Sequence, residues 1–152
     1  KRAGLSADIY RLGSDPRDPL GPPLPKTPTP ALDLAVLDAA ITRLDGAAKA
    51  FDAAISAKEA SLTPAQTAAL NGKLRDIEQT LLSPSGLPFR PWFRNILYAP
   101  GRFTGYGSKT LPGLREAVEE RRFDDATREA GIAAKALGDY ADRLNEAAGL
   151  LK

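Results

Sequence analysis

Three stretches of this chain space their apolar residues by three and four, and that rhythm leaves few folds open. Leu34, Leu37, Ile41, Leu44, Ala48, Phe51 and Ile55 make the first seam, and Thr67, Leu70, Leu74, Ile77 and Leu81 the second. Ala130, Ala133, Leu137, Tyr140, Leu144, Ala147 and Leu151 make the third. On a helix of 3.6 residues per turn each set gathers on one face. Helices with one apolar stripe bury it against each other. The spacing therefore predicts an all-α fold, an antiparallel bundle of three long helices plus one short helix. No segment sustains a period of two, so no sheet is expected.

The helix ends are marked by residue chemistry. Thr63 can cap, Pro64 suits the first helical position, and Gln66 completes a capping box. Ser83, Pro84, Ser85 and Gly86 stop that helix, and the short link from the first helix favours a hairpin. Pro112 opens a short helix to about Arg122, and Asp124 is expected to cap the last long one. Gly131 and Gly138 within it suggest close helix approach, while Gly46 costs the first helix about 1 kcal/mol relative to alanine. Residues 1–30 read as a Pro-rich linker, extended or polyproline II, with one helical turn near 6–12. Residues 31–152 read as the helical domain.

Between the second and third seams lies a segment without period, 87–113, LPFRPWFRNILYAPGRFTGYGSKTLPG. It holds the only tryptophan, Trp92, with Phe89, Phe93, Tyr98, Phe103 and Tyr106. Aromatics placed in a long irregular loop ask for a packing or binding reason. Packing of Trp92, Phe93, Ile96 and Leu97 onto the bundle is expected, with the arginines on carbonyls or carboxylates. Gly101, Gly105 and Gly107 lack the flanking strand and helix of a phosphate cradle, so they read as positions of positive φ or close approach. The charge-dense stretch 115–125 reads as a solvated face, with Glu116 and Glu120 in mutual repulsion.

Composition removes whole classes of chemistry. There is no Cys and no His. The chain by itself thus assembles no disulfide, no thiolate site, no Ser-His-Asp site and no histidine-ligated metal. Lys and Arg total 21 against 19 Asp and Glu, a formal net charge of +2. That interspersed balance argues against nucleic acid or membrane contact. No Met is present and the chain opens at Lys1, which predicts an excised piece of a longer polypeptide.

The segment 90–113 carries a resemblance. Arg90, Pro91, Trp92, Phe93, Arg94, Ile96, Leu97, Tyr98, Ala99, Pro100, Tyr106, Leu111, Pro112 and Gly113 are similar to a pattern of one family. It is the family of C-terminal helical domains found in glutamate carboxypeptidase II and the transferrin receptor. The order of helices fits as well, over about 31–151. The resemblance implies a helical bundle that mediates homodimerisation of a larger chain. In peptidase members it implies an upstream protease-like domain with two zinc ions, so that zinc and the catalytic residues lie outside this fragment.

The resemblance also implies that a variable loop reaches into the substrate pocket of its own chain, where an adjacent Lys-Tyr pair contacts substrate carboxylates. Tyr106 matches that Tyr, Gly105 stands at the Lys position, and Lys109 or Arg102 is the candidate substitute cation. Tyr106, Gly105 and Lys109 are accordingly the expected substrate-binding residues, with no catalytic or metal residue here. A hydroxyl flanked by glycines can approach a carboxylate closely. Two other readings stay open: the dimerisation domain of a catalytically inactive, transferrin receptor-like protein, and a free-standing helical adaptor. The residues fix no compartment, and the resemblance allows an extracytoplasmic one.

Overall fold

The computed structural model describes residues 9–18 and 27–151, and the chain divides into two units, Lys1–Pro30 and Ala31–Lys152. In the first unit Ile9–Leu12 is a single helical turn, closed by the Gly13 N–H on the Ile9 carbonyl at 2.9 Å. The rest of the turn expected near 6–12, and the proline run at 19–26, lie outside the described residues. Residues 15–18 are not extended as expected. The Asp15 carbonyl accepts from the Asp18 N–H at 3.0 Å, and its carboxylate accepts from the Arg17 N–H at 2.8 Å. An aspartate that can bond its own backbone favours such a turn over open chain.

In the second unit α1 is Ala35–Lys58, followed by a 3-10 turn Glu59–Ser61. Helix α2 is Pro64–Asp76, which tightens into a 3-10 turn Ile77–Leu81. Thr63 and Gln66 form the expected capping box. The Thr63 hydroxyl accepts from the Gln66 N–H at 3.2 Å, and the Gln66 side-chain Oε1 accepts from the Thr63 N–H at 3.0 Å. Helix α3 is Pro112–Glu119 and helix α4 is Phe123–Gly149.

Helix α4 is the centre, and α1, α2, the second 3-10 turn and α3 all pack on it. Three clusters give the directions. Leu37, Ala40 and Leu81 meet Ala133, Ala134 and Leu137. Ala47 and Ile77 meet Ala141 and Leu144, and Leu70 meets Ala147 and Leu151 beside Phe51, Ala54 and Ile55. So α1 ascends alongside α4, whereas α2 and its 3-10 turn descend. Ala126, Ala130 and Ala141 are wholly buried, and small side chains at these positions let the axes come close.

Several expectations change. Of the expected α1 seam, Leu37 is buried and Leu44, Ala48, Phe51 and Ile55 pack partly buried on the core, whereas Ile41 is half exposed and Ala40 and Ala47 are buried in its place. Alanines occupy the contact because α4 is also alanine-lined there. The second helix is shorter than its apolar rhythm, because that rhythm continues through the 3-10 turn. Helix α3 ends at Glu119, and α4 has Arg122 before it without a side-chain cap. Asp124 and Asp125 sit inside its first turn, where negative charge suits the helix dipole. Gly138 is buried, with room for a Cβ only 3.4 Å from the Arg43 guanidinium, while Gly131 borders open space.

A sheet also exists, contrary to expectation. Strands β1, Tyr98–Pro100, and β2, Ser108–Thr110, pair antiparallel with Ala99 opposite Lys109. Three-residue strands are too short to display a period of two. The loop before β1 is bridged by backbone bonds, from the Ser83 N–H to the Arg94 carbonyl at 2.8 Å and the Leu87 N–H to the Phe93 carbonyl at 2.8 Å. The Leu111 N–H then closes on the Leu97 carbonyl at 2.7 Å.

Candidate functional site

The hairpin loop 101–107 joins β1 to β2 and is pinned at its base by the Gly101 N–H on the Gly107 carbonyl at 2.9 Å. The Thr104 hydroxyl bonds the same carbonyl at 3.4 Å. Gly105 has φ of +59° and open space where a Cβ would stand. At Gly101 a Cβ would crowd the side chains of Thr104, nearest at Oγ1, and of Lys109, 2.9 Å from its Cε. The Tyr106 side chain is fully exposed at the tip. Lys109 lies in β2, largely covered, with its ammonium bonded to the Glu119 carboxylate. The structure therefore places Gly105 and Tyr106 together at the tip and engages Lys109 at the base. Arg102, the other candidate cation, bonds Glu120 at 3.3 Å.

The hairpin hangs on three carboxylates, two on α3 and Glu120 just past its end. Glu119 takes Lys109, Glu120 takes Arg102, and Glu116 accepts the Arg102 backbone N–H at 2.8 Å. Glu116 also accepts the Arg90 guanidinium on both oxygens, at 3.0 Å each. Arg90 is 4% exposed and Glu116 6% exposed. The stretch 115–125 is thus not simply a solvated face: Glu116 shares its side of α3 with buried Pro112, Gly113 and Ala117. Lys109, and then Arg115, hold the Glu119 carboxyl below its ordinary range.

The aromatics divide differently from expectation. Leu87, Ile96 and Ala99 are buried and anchor the segment, but Trp92 is 72% exposed and Phe93 sits at the surface. Phe89, Tyr98 and Phe103 are exposed as well. Phe89 has φ of +62°, which strains a residue with a Cβ. Two guanidinium groups stand over its ring, Arg102 at 4.1 Å and Arg122 at 4.9 Å. Such contacts offset part of the strain. Arg102 also stands 4.9 Å from the Phe103 ring, so one arginine ties the loop to the segment before β1.

Glu129 was not singled out by spacing, yet it is buried on α4. A Cβ on Gly113 would fall 3.0 Å from its Cδ and closer to its carboxylate, so the Leu111, Pro112, Gly113 opening of α3 is fitted to it. Burial pushes the Glu129 carboxyl up from 4.5, against the pull of Arg128; Asp125 adds to the rise and Arg122 opposes it. A raised folded value means stability is greatest with the proton on and is lost as pH climbs through that value. Glu129→Gln is expected to raise the melting temperature at neutral pH, with the gain vanishing below the ordinary carboxyl range. Melting both proteins at about pH 7 and about pH 3 checks this, and an equal gain at both would disprove the account.

An apolar groove runs between α1 and α4, lined by Leu44, Phe51, Leu81, Leu97, Tyr140 and Leu144 among others. Among the described residues, no three His, Cys, Asp or Glu side chains are grouped to hold a metal ion. Among the described residues no helix is long and apolar enough to cross a membrane.

Comparison with known proteins places this geometry in a context. The transferrin receptor-like dimerisation domain family matches residues 32–145. A protein of Arabidopsis thaliana named "Probable glutamate carboxypeptidase LAMP1" is 32% identical over 91 residues, 60% of this chain and 13% of that protein. One of Arthroderma benhamiae named "Probable glutamate carboxypeptidase" is 34% identical over 91 residues, 59% of this chain and 12% of that protein. The chain thus spans a small fraction of the length of these relatives.

Proposed function

The chain belongs to the transferrin receptor-like dimerisation domain family, and from that premise we propose that it is the non-catalytic dimerisation domain of a glutamate carboxypeptidase-like metallopeptidase. The match over 32–145 carries the reading, and the names of the relatives favour a peptidase parent over an inactive receptor. Zinc and the catalytic groups belong, in this proposal, to an upstream domain, and no step of the reaction is assigned to residues here.

The surface suits association. Val36 and Ile41 project from α1 half exposed, and the groove around Leu44 and Phe51 leaves further apolar area open. Apolar patches of this kind mark contact surfaces. Sedimentation equilibrium of the chain is expected to show a dimer, and a strict monomer at high concentration would weigh decisively against it.

In the same proposal, loop 101–109 helps complete the upstream substrate pocket. The supporting observation is its shape: a hairpin fixed at the base, a fully exposed Tyr106 at the tip, and Gly105 with open space beside it. The phenol can donate to a substrate carboxylate. Lys109 is engaged with Glu119 and Arg102 with Glu120, so Tyr106 carries the role without an adjacent free cation from these two. In the full-length protein Tyr106→Phe is expected to raise KM for peptides with a free C-terminus several-fold with little change in kcat. An unchanged KM removes the loop from the pocket.

A further inference from the structure

We propose that Glu116 is the positioning residue of the hairpin loop and, resting on the pocket reading above, that it sets substrate affinity through the placement of Tyr106. Three carboxylates hold the hairpin, Glu116 and Glu119 on α3 and Glu120 just past its end, but they are not equivalent. The Lys109–Glu119 and Arg102–Glu120 pairs join flexible side chains, with Glu119 substantially exposed. Pairs of that kind hold position weakly. Glu116 differs in burial and in what it grips.

The carboxylate of Glu116 is 6% exposed and its Oε1 receives two donors from distant parts of the chain. One is the Arg90 guanidinium and the other is the Arg102 backbone N–H, at 3.0 and 2.8 Å. The second bond reaches the main chain directly after Gly101, the residue at which the hairpin leaves β1. A side-chain contact could be lost by a rotamer change, but a backbone contact fixes the path of the loop itself. Arg90 is in turn held beneath Phe93, its guanidinium 5.7 Å from the ring, so the acceptor is oriented from behind. From Arg102 the chain climbs through Phe103 and Thr104 to Gly105 and Tyr106. Within this turn the Tyr106 N–H bonds the Thr104 carbonyl at 2.6 Å, so moving its first residue moves its tip. Misplacement of a contact group by an ångström costs binding and rate steeply.

The test separates positioning from folding. Arg90→Met with Glu116→Met removes both charges together, which spares the fold an unpaired buried ion, yet leaves the Arg102 N–H without its acceptor. In the full-length protein this double variant is expected to melt near the wild type. Amide exchange at 102–106 should accelerate about tenfold or more while α4 keeps its protection. KM is expected to rise about tenfold with kcat within about twofold. Unchanged exchange at 102–106 overturns the positioning role, whatever the kinetics show. Accelerated exchange with a wild-type KM, where Tyr106→Phe does raise KM, overturns the link to affinity. If Tyr106→Phe leaves KM unchanged, the pocket reading and the affinity link both fail, and the exchange result still decides whether Glu116 holds the loop.

Discussion

Gly86→Ala is expected to lower the melting temperature by about 10 °C. Gly86 has φ of +69°, and a Cβ there would stand 2.5 Å from the Cα and carbonyl carbon of Pro91 and nearer still to its oxygen. The obstructing atoms are backbone, so no rotamer change relieves the overlap. Relief requires the loop to open, which breaks the bridge from the Leu87 N–H to the Phe93 carbonyl and draws Leu87, 3% exposed, away from its neighbours. The left-handed conformation alone costs about 1–2 kcal/mol for a residue with a Cβ, and the clash brings the total to about 4 kcal/mol. At this chain length each kcal/mol moves the midpoint by about 2–4 °C. Gly105→Ala is the control. It shares the positive φ, at +59°, but meets nothing within 4 Å, so about 1 kcal/mol is expected. Equal losses in the two variants would mean that the approach of Gly86 to Pro91 does not matter.

The same loop shows what was legible in the sequence. Helical rhythm, the Thr63–Gln66 box and the identity of the loop as the distinctive segment all follow from local chemistry. Residues a few positions apart decide them. Ile41 and Ala47 were harder, because which stripe of α1 faces inward depends on the alanines of α4, about ninety positions on. Glu116 was harder still. A carboxylate among Arg115, Glu119 and Glu120 reads as solvated until its partner is known to be Arg90, 26 residues earlier. One local sign did exist, since Gly113 and Ala117 flank it on the same side of α3 and both are buried. For the aromatics the expectation of packing failed at Trp92. Its Arg-Pro context at Arg90 and Pro91 commits the neighbouring backbone to a tight turn in which the Phe93 N–H bonds the Arg90 carbonyl at 3.0 Å. The turn buries the Arg90 guanidinium and leaves the indole outside. Tyr106 is exposed for an equally local reason, standing between two glycines at the end of a two-stranded hairpin that offers nothing to pack on.

Arg90→Met supplies the second large effect, and its interpretation depends on the partner left behind. Removing one member of a buried ion pair leaves the other charged, desolvated and unpaired, a loss of about 3–5 kcal/mol. Glu116 would keep the Arg102 amide as a donor, which places the expected loss nearer the lower figure. Removing both members is a different event. Arg90 Nε is buried without a partner among the described residues, so the native pair does not fully recover the cost of taking the guanidinium from water. Arg90→Met with Glu116→Met exchanges that deficit for apolar contact beside Leu87 and Ala117, and is expected within about 1–2 kcal/mol of wild type. Urea unfolding of the two single variants, the double variant and the wild type closes the cycle. A coupling energy of about 2 kcal/mol or more is expected, with the double variant more stable than either single one. Strictly additive losses would show that Arg90 and Glu116 contribute separately, and would sink the account of this pair as the joint that fastens the aromatic loop to α3. Lys109→Met sets the scale, because its partner Glu119 is substantially exposed and its loss is expected below about 1 kcal/mol.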